Sequence, residues 1–257
     1  MHFEQYGTGD RVFLGLHGWG SDRQVFAPLA AHVPTDASFF SADLPGCGLS
    51  PPPRTWAVDT IVAQIEETIR SFETKRVMLV GHCGGAAFSL LAARADEQLV
   101  ERVIAIDPFA YLPRYFRMFT SEGFGRRAYD MTFANPVGRW VTSKALNAGR
   151  DEQTDLTASF SAVDHEVALR YLHLFAEIDG VEEVRGLRTA VDLVYGERTF
   201  SAVKKSVALL KDTLGCVRTF QLEGARHMPL TEATSQLAQI IFAPAAAHAV
   251  GNKGLVG

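Results

Sequence analysis

The segment VMLVGHCGGAA, residues 77–87, places a cysteine where covalent catalysis is feasible. The apolar run before Gly81 predicts a strand buried on both faces, and an alanine-rich helix follows Gly85. Cys83 therefore lies at the centre of a strand–turn–helix pattern G-x-C-x-G, a nucleophile elbow with sulfur in place of the serine oxygen. A helix N-terminus carries partial positive charge, which favours a thiolate there. The alternative interpretation is a glycine-rich turn around an inert, buried cysteine.

A histidine near the C-terminus could activate that sulfur. His227 lies in the loop LEGARHMP, between the last predicted strand and the last predicted helix. A free cysteine thiol is only slightly ionised at neutral pH, so an imidazole that takes its proton would make it a better nucleophile. The alternative for His227 is an ordinary histidine in a surface loop.

The elements that must position these residues alternate along the chain. Continuous apolar runs predict strands, and apolar residues at three- and four-residue steps predict helices between them. Strand, helix and strand in this order predict an α/β fold with a mostly parallel central sheet and helices on both faces. The predicted strands cover residues 11–16, 37–43, 77–80, 103–106, 190–196 and 216–222, and the predicted helices cover 56–72, 86–92, about 200–214 and a last one from about residue 231.

The middle of the chain has a different composition. Residues 110–186 are rich in aromatic residues and arginine, as in YLPRYFRMF and GRRAYDMTF, and contain no clear strand. This pattern predicts a helical insertion between a first core part, 1–109, and a second core part, 187–243. Residues 244–257 contain Ala and Gly without a usable period, so we expect a disordered tail. The aromatic and basic residues of the insertion either line a pocket for an acyl chain or an acidic carrier, or pack its helices together.

Four motifs in this order resemble the α/β-hydrolase family. They are HGWG at 17–20, DLPGCGLS at 43–50, GHCGG at 81–85 and EGARH at 223–227. The resemblance spans about residues 3–242 and implies an α/β-hydrolase fold with the helical insertion at the family's lid position. Within the family the chain is similar to small esterases and thioesterases such as the pimeloyl-carrier-protein methyl ester esterases, which share LHGWG and DLPGxGxS.

The resemblance implies a role for each matching position. Cys83 matches the nucleophile, and His227 matches the general base. The backbone N–H groups of Trp19 and Gly84 match the oxyanion-hole donors. Sulfur in place of oxygen suits attack on esters and especially on thioesters, with a thioester acyl-enzyme as the intermediate.

The third member of the triad departs from the family pattern. The position of the usual acid holds Thr199, which supplies no negative charge to an imidazolium. Some branches, including the haloalkane dehalogenases, place the acid after the strand that follows the elbow helix, and Asp107 holds that position here. Asp107 is therefore the leading acid candidate, with Glu197 and Thr199 as weaker ones. A structural turn residue before Pro108, and a Cys–His dyad without any acid, are the alternatives.

Composition limits the remaining function classes. The 257 residues contain 25 Lys plus Arg and 29 Asp plus Glu, and the net charge of −4 argues against a nucleic-acid partner. No apolar run reaches the roughly 18 residues that suggest a membrane span, and the start MHFEQYGTGD has no secretory signal pattern. Three cysteines without a CxxC pair suit a reducing compartment, so we expect a cytoplasmic protein without a metal site or a cofactor.

These observations predict a cysteine-nucleophile hydrolase that cleaves an ester or thioester through a covalent acyl-enzyme. The expected substrate is a small-molecule or carrier-linked acyl group. Two alternatives stay open: an acyltransferase that moves the acyl group to an amine, alcohol or thiol, and a catalytically inactive binding protein on the same fold. The sequence leaves the acyl group, the oligomeric state and the pathway undecided.

Overall fold

A sheet of seven strands forms the centre of the computed structural model, which describes residues 1–72, 74, 76–147, 158–178 and 180–244. The strands are β1 (Phe3–Tyr6), β2 (Arg11–Leu16), β3 (Ala37–Ala42), β4 (Val77–His82), β5 (Val100–Ile106), β6 (Ala190–Gly196) and β7 (Val217–Leu222). Their spatial order is β1-β3-β2-β4-β5-β6-β7, and β1 pairs with β3 in the antiparallel direction while every later pair is parallel. The prediction of a mostly parallel sheet is confirmed.

Helices connect and cover these strands. The α-helices are α1 (Val58–Arg70), α2 (Gly84–Ala95), α3 (Arg114–Arg117), α4 (Gly125–Tyr129), α5 (Pro136–Asn147), α6 (His165–Glu177), α7 (Ser201–Thr213), α8 (Pro229–Glu232) and α9 (Thr234–Ile241). 3-10 helices cover Arg23–His32, Met118–Thr120 and Ala158–Ser161, and a π-helical turn covers Asp130–Ala134. Among the described residues, no helix combines the length and the apolar character that crossing a membrane requires.

Alternating strand residues build a core on each face of the sheet, as a period of two requires. Leu79 of β4 packs in one cluster with α1, α2 and α7, whereas its neighbours Met78 and Val80 pack in the other with the 3-10 helix at 23–32, α8 and α9. The helices therefore cover both faces, as the sequence predicts. Because the parallel strands all end at one edge, the loops after β2, β4, β5, β6 and β7 meet there.

The described residues between β5 and β6 form helices and no strand. Their aromatic side chains pack into a third cluster that includes Leu112, Phe119, Tyr129, Phe133 and Phe160. Much of this aromatic content therefore packs the segment itself. The predicted insertion also includes residues 148–157 and 179, and the predicted tail includes residues 245–257, all of which lie outside the described residues.

Three features of the fold differ from the sequence-based prediction. The sequence-based prediction did not include strand β1, because β1 exposes most of its side chains. It also did not include the 3-10 helix at 23–32, because Pro28 interrupts the helical pattern. The single helix expected from about residue 231 is two helices, and the first of them, α8, begins at Pro229, since proline suits the first position of a helix. A break at Ala233 then separates α8 from α9.

Candidate active site

Cys83 lies in a strained turn between β4 and α2. Its backbone has φ 53° and ψ −115°, and among the described non-glycine residues only Cys83 and Asp107 have a positive φ. The neighbouring glycines make the turn possible. A Cβ at Gly81 would lie 2.5 Å from Ala86, and a Cβ at Gly85 would lie 2.1 Å from the Leu16 carbonyl. Strand, helix and the β2 loop can therefore meet around a sharp bend that holds Cys83.

His227 and Asp107 form a hydrogen bond 2.9 Å long between Nδ1 and Oδ2. Asp107 follows β5 directly and is fully buried. Its other carboxylate oxygen accepts a 2.9 Å hydrogen bond from the Gly196 backbone N–H, and the Thr199 hydroxyl donates to Oδ2. A buried carboxylate needs such donors, because burial without hydrogen bonds would cost several kcal/mol.

His227 also interacts with Cys83. Burial is the largest single effect and alone would lower the pKa of His227, since it disfavours the charged ring; the interactions with Asp107 and Cys83 act in the opposite direction. Together with the charges of both partners they raise the pKa of His227 to about 10. At neutral pH the imidazolium form is therefore favoured, and it lies between a carboxylate and a sulfur.

His82, the residue before Cys83, holds the His227 loop in place. Its Nε2 lies 3.0 Å from the His227 carbonyl oxygen. Burial, and next the charge of His227, lower the pKa of His82 to about 4. The ring is therefore neutral, and because its partner is a carbonyl oxygen, Nε2 carries the proton and donates it. This hydrogen bond joins the elbow directly to the loop after β7.

The loop after β2 forms the opposite wall of the site. The Leu44 N–H donates to Nε2 of His17 at 3.0 Å, so Nε2 is unprotonated and Nδ1–H donates to the Gly18 carbonyl at 2.9 Å. The Trp19 N–H belongs to the same planar peptide and points away from that carbonyl. Gly18 lies against Cys83, because a Cβ at Gly18 would be 2.8 Å from the cysteine Cβ.

Gly84 supplies a second backbone N–H beside the sulfur. As the first residue of α2 it has no intrahelical hydrogen-bond acceptor for this group. Two backbone N–H groups, from the β2 loop and from the start of α2, thus flank Cys83. This is the arrangement that can hold a negatively charged oxygen formed next to the nucleophile.

An apolar cleft opens at Cys83, with an empty volume of about 510 Å³ including its open mouth. Its walls come from the loop after β5 and from α6, and Gly84 and Ala87 of α2 also line it. A lining of this kind suits contact with hydrocarbon groups close to Cys83. The larger lining residues of the cleft are Trp19, Phe109, Tyr111, Leu112, Phe116, Leu172, Phe175 and Ile178.

A model of the "Alpha/beta hydrolase family" matches residues 12–240 of the chain. The chain belongs to the α/β hydrolase family. Its mostly parallel sheet with helices on both faces is the fold that the family resemblance implied.

Relatives and solved structures agree with this membership. The α/β hydrolase is 25% identical over 248 residues to a pimeloyl-[acyl-carrier protein] methyl ester esterase of Aeromonas salmonicida, and the match covers 93% of this chain and 96% of that protein. A thermophilic esterase from Thermogutta terrifontis superimposes with a TM-score of 0.75 at 16% identity, covering 93% and 90% of the two chains. A lipase-esterase related protein from Clostridium acetobutylicum superimposes with a TM-score of 0.72 at 17% identity, covering 93% and 97%. At these identities the structural likeness concerns the fold.

The structure brings most of the residues selected from the sequence of this α/β hydrolase into one site. Asp107 is hydrogen-bonded to His227, His227 interacts with Cys83, and Trp19 and Gly84 line the cleft together with Cys83.

The two weaker acid candidates lie differently. Glu197 accepts a hydrogen bond from the Gly224 N–H at 2.8 Å, and no described contact joins its carboxylate to His227. Thr199 contacts the acid instead of replacing it.

Sequence reasoning missed the supporting donors of the site. The Gly196 N–H and the Thr199 hydroxyl both reach Asp107, and the neutral rings of His17 and His82 fix the two loops. Of these four residues, only Thr199 could have been selected from the sequence, because it occupies the position of the family's usual acid. Among the described residues, no group of three or more His, Cys, Asp and Glu side chains could hold a metal ion.

Proposed function

We propose that this protein cleaves carboxylic esters or thioesters through a covalent acyl-enzyme on Cys83. The observation that carries the proposal is that Cys83, which lines an apolar cleft, interacts with His227, and that His227 is hydrogen-bonded to buried Asp107. A nucleophile, a base and an orienting acid in this order are the parts that acyl transfer requires. The esterase named among the relatives supports ester cleavage as the reaction class.

In the first step the sulfur of Cys83 attacks the substrate carbonyl carbon. The thiol proton already lies on His227 at this point, because the raised pKa of His227 and its contact with Asp107 favour the imidazolium. A carbon–sulfur bond forms, and the carbonyl electron pair moves onto oxygen. The N–H groups of Trp19 and Gly84 then hold this oxyanion, a contribution of about 3–4 kcal/mol per donor in comparable sites.

In the second step the oxyanion collapses and the bond to the leaving group breaks. The alcohol or thiol departs with the proton of His227 and leaves a thioester on Cys83. Water then attacks that thioester while His227 accepts one of its protons. The carbon–sulfur bond then breaks, the carboxylic acid is released, and the free sulfur beside protonated His227 is restored, so the atoms and charges balance over the cycle.

The cleft supports an apolar acyl chain as the part of the substrate that is recognised. Its described lining offers hydrocarbon surface and few polar groups, which suits burial of methylene groups. The segment at 110–186 contributes much of this lining, so we propose that it acts as the lid. Small-molecule and carrier-linked acyl substrates both stay within the proposal, the latter because the Aeromonas relative is named for a carrier-linked ester. Cys47, Cys83 and Cys216 are free, which supports a reducing, cytoplasmic location.

Hydrolysis of p-nitrophenyl esters and acyl thioesters tests the proposal. We expect Cys83→Ala to lower kcat by at least about a thousandfold, since nucleophile removal costs this much or more in comparable enzymes. Cys216→Ala is the matched control, because Cys216 is exposed and distant in sequence from the site, and it should retain wild-type rates. Cleavage by Cys83→Ala at the wild-type rate would contradict the proposal.

A further inference from the structure

The Trp19 side chain is held in a cage of aromatic rings. Its indole Nε1–H donates to the Ala168 carbonyl of α6 at 2.7 Å. Ring centroids lie 4.7 Å away for Phe160, 5.1 Å for Phe133 and 5.3 Å for Phe116, all edge-on, the geometry that aromatic pairs prefer. One hydrogen bond and several rings therefore fix both the position and the rotation of this indole.

Every member of the cage comes from the segment between β5 and β6. Phe116 follows β5 in the first helical turn, Phe133 lies in the π-helical turn, and Phe160 precedes α6. Trp19 itself belongs to the loop after β2. The contact thus joins two parts of the chain that are more than 90 residues apart in sequence.

The backbone of the same loop lies against the nucleophile. His17 fixes the Gly18 carbonyl, and the Trp19 N–H points to the other side of that peptide. Phe160 also packs on Gly20, where a Cβ would lie 2.4 Å from the ring. The loop is therefore held by His17 before the Trp19 peptide and by the aromatic cage after it.

We infer that the segment between β5 and β6 positions the oxyanion-hole N–H of Trp19 through the caged indole, with Phe133 and Phe160 as positioning residues. The inference rests on the proposed function. If the cage loosens, the N–H moves relative to the developing oxyanion, and stabilisation of the transition state falls while the Cys83–His227–Asp107 series stays intact.

Phe133→Leu tests the inference, because Phe133 contacts Trp19 and is absent from the described lining of the cleft. Phe119→Leu is the matched control. Phe119 lies in the same cluster and is similarly buried, but its ring pairs are with Phe116, Tyr129 and Phe133. We expect Phe133→Leu to lower kcat about tenfold with KM unchanged, a fraction of the loss that removal of an oxyanion donor causes. Phe119→Leu should keep the wild-type kcat.

Alkylation of Cys83 by iodoacetamide provides the second measurement. This reaction displaces iodide from a saturated carbon and forms no oxyanion, so its rate should be unchanged in Phe133→Leu. A fall of the alkylation rate in parallel with kcat, or an unchanged kcat, would overturn the inference. Phe160→Leu gives the same comparison if Phe133→Leu does not fold, because Phe160 also contacts Trp19 and is absent from the described lining of the cleft.

The outcome also separates the inference from the proposed function. If Cys83→Ala retains ester cleavage, the proposed function fails, whatever the cage variants do. If Cys83→Ala is inactive and Phe133→Leu has the kcat of the wild type, only the positioning role of the cage fails.

Discussion

The two sides of Cys83 are built in different ways. On the side of His227, a few directional hydrogen bonds connect the ends of β5, β6 and the loop after β7, and fully buried Asp107 is their common acceptor. On the side of Trp19, aromatic rings and glycine backbones pack together, and the polar contacts are to backbone groups.

This difference predicts different responses to change. In a buried network of charged groups each partner depends on the others. Single substitutions there should therefore lower kcat strongly and should alter the pH dependence of activity and stability. A packed aromatic cluster can adjust gradually to a change in side-chain shape. Substitutions there should therefore lower kcat less and should leave the pH dependence of activity and stability unchanged. The following experiments test this contrast, from the largest expected effect to the smallest.

Replacement of the acid should have the largest effect on the His227 side. Asp107→Asn keeps the size of the side chain, and asparagine tolerates the positive φ of 45° at this position. The neutral amide cannot stabilise the imidazolium, so kcat should fall by about 10³–10⁴-fold, as in other triads. Steady-state ester hydrolysis measures this change.

Glu197→Gln is the control for the choice of acid. Its carboxylate bonds to the Gly224 N–H, so we expect rates close to those of the wild type. A fall as large as that of Asp107→Asn would assign the acid to Glu197 and refute the proposed role of Asp107.

Alkylation by iodoacetamide should distinguish the three cysteines at neutral pH. Cys83 should react fastest because His227 takes its proton, and exposed Cys216 should follow. Burial, followed by the nearby carboxylates of Asp43, Asp22 and Asp164, raises the pKa of Cys47 to about 12, so Cys47 should react slowest.

His227→Ala provides the decisive comparison for this ranking. We expect it to slow alkylation of Cys83 by at least about tenfold and to leave Cys216 unchanged. Peptide mapping by mass spectrometry gives the three rates in one sample. Equal rates at Cys83 in both proteins would exclude proton transfer between this pair.

Removal of the Thr199 hydroxyl should lower kcat less than replacement of Asp107, which this hydroxyl contacts. Thr199→Val replaces the hydroxyl by a methyl group and removes one donor from Asp107. Loss of a hydrogen bond to a charged group should lower kcat about tenfold. Thr199→Ser keeps the donor and should restore most of the activity.

Thr189→Val is the matched control for that substitution. Thr189 is 6% exposed against 7% for Thr199, and its hydroxyl has no hydrogen-bond partner among the described residues. Activity should therefore be unchanged. If Thr199→Ser loses as much activity as Thr199→Val, the hydroxyl is not the group that matters.

The last test of the His227 side measures stability instead of catalysis. Because the pKa of His227 is raised from 6.5 to about 10 in the folded protein, its charged form stabilises the fold fully below pH 6.5, and this contribution is lost as pH rises towards 10. The groups that face the ring are Asp107, Cys83 and His82. Urea unfolding should therefore show that wild type and His227→Gln differ most at low pH and converge as pH rises.

A substitution on the protein surface controls for general pH effects. His173 is exposed on α6, and His173→Gln should keep a constant difference from wild type over the same range. If the His227→Gln difference also stays constant with pH, the charged form of His227 does not stabilise the fold.

Local patterns predicted the parts of the site that depend on strand ends. The strand before Gly81 and the strand before Asp107 are continuous apolar runs, so the positions that follow them could be placed at one edge of the sheet. The candidate site could be predicted to that extent, because parallel strands bring their ends together whatever the loops do.

Contacts between distant segments could not be predicted in this way. The aromatic residues of segment 110–186 were open to two interpretations, since a sequence pattern does not state which rings meet Trp19. The hydroxyl of Thr199 meets Asp107 across two neighbouring strand ends, and only the register of β5 and β6 brings them together. Strand β1 was missed for the same reason, because its exposed side chains give no pattern and its pairing with β3 is distant in sequence.

The mass of the intact protein after mixing with an acyl thioester and rapid acid quenching tests the central claim most directly. The account predicts an increase equal to the acyl group, located by peptide mapping on Cys83 and missing in Cys83→Ala. Turnover of the thioester by wild type without any adduct on Cys83, together with equal turnover by Cys83→Ala, would contradict it.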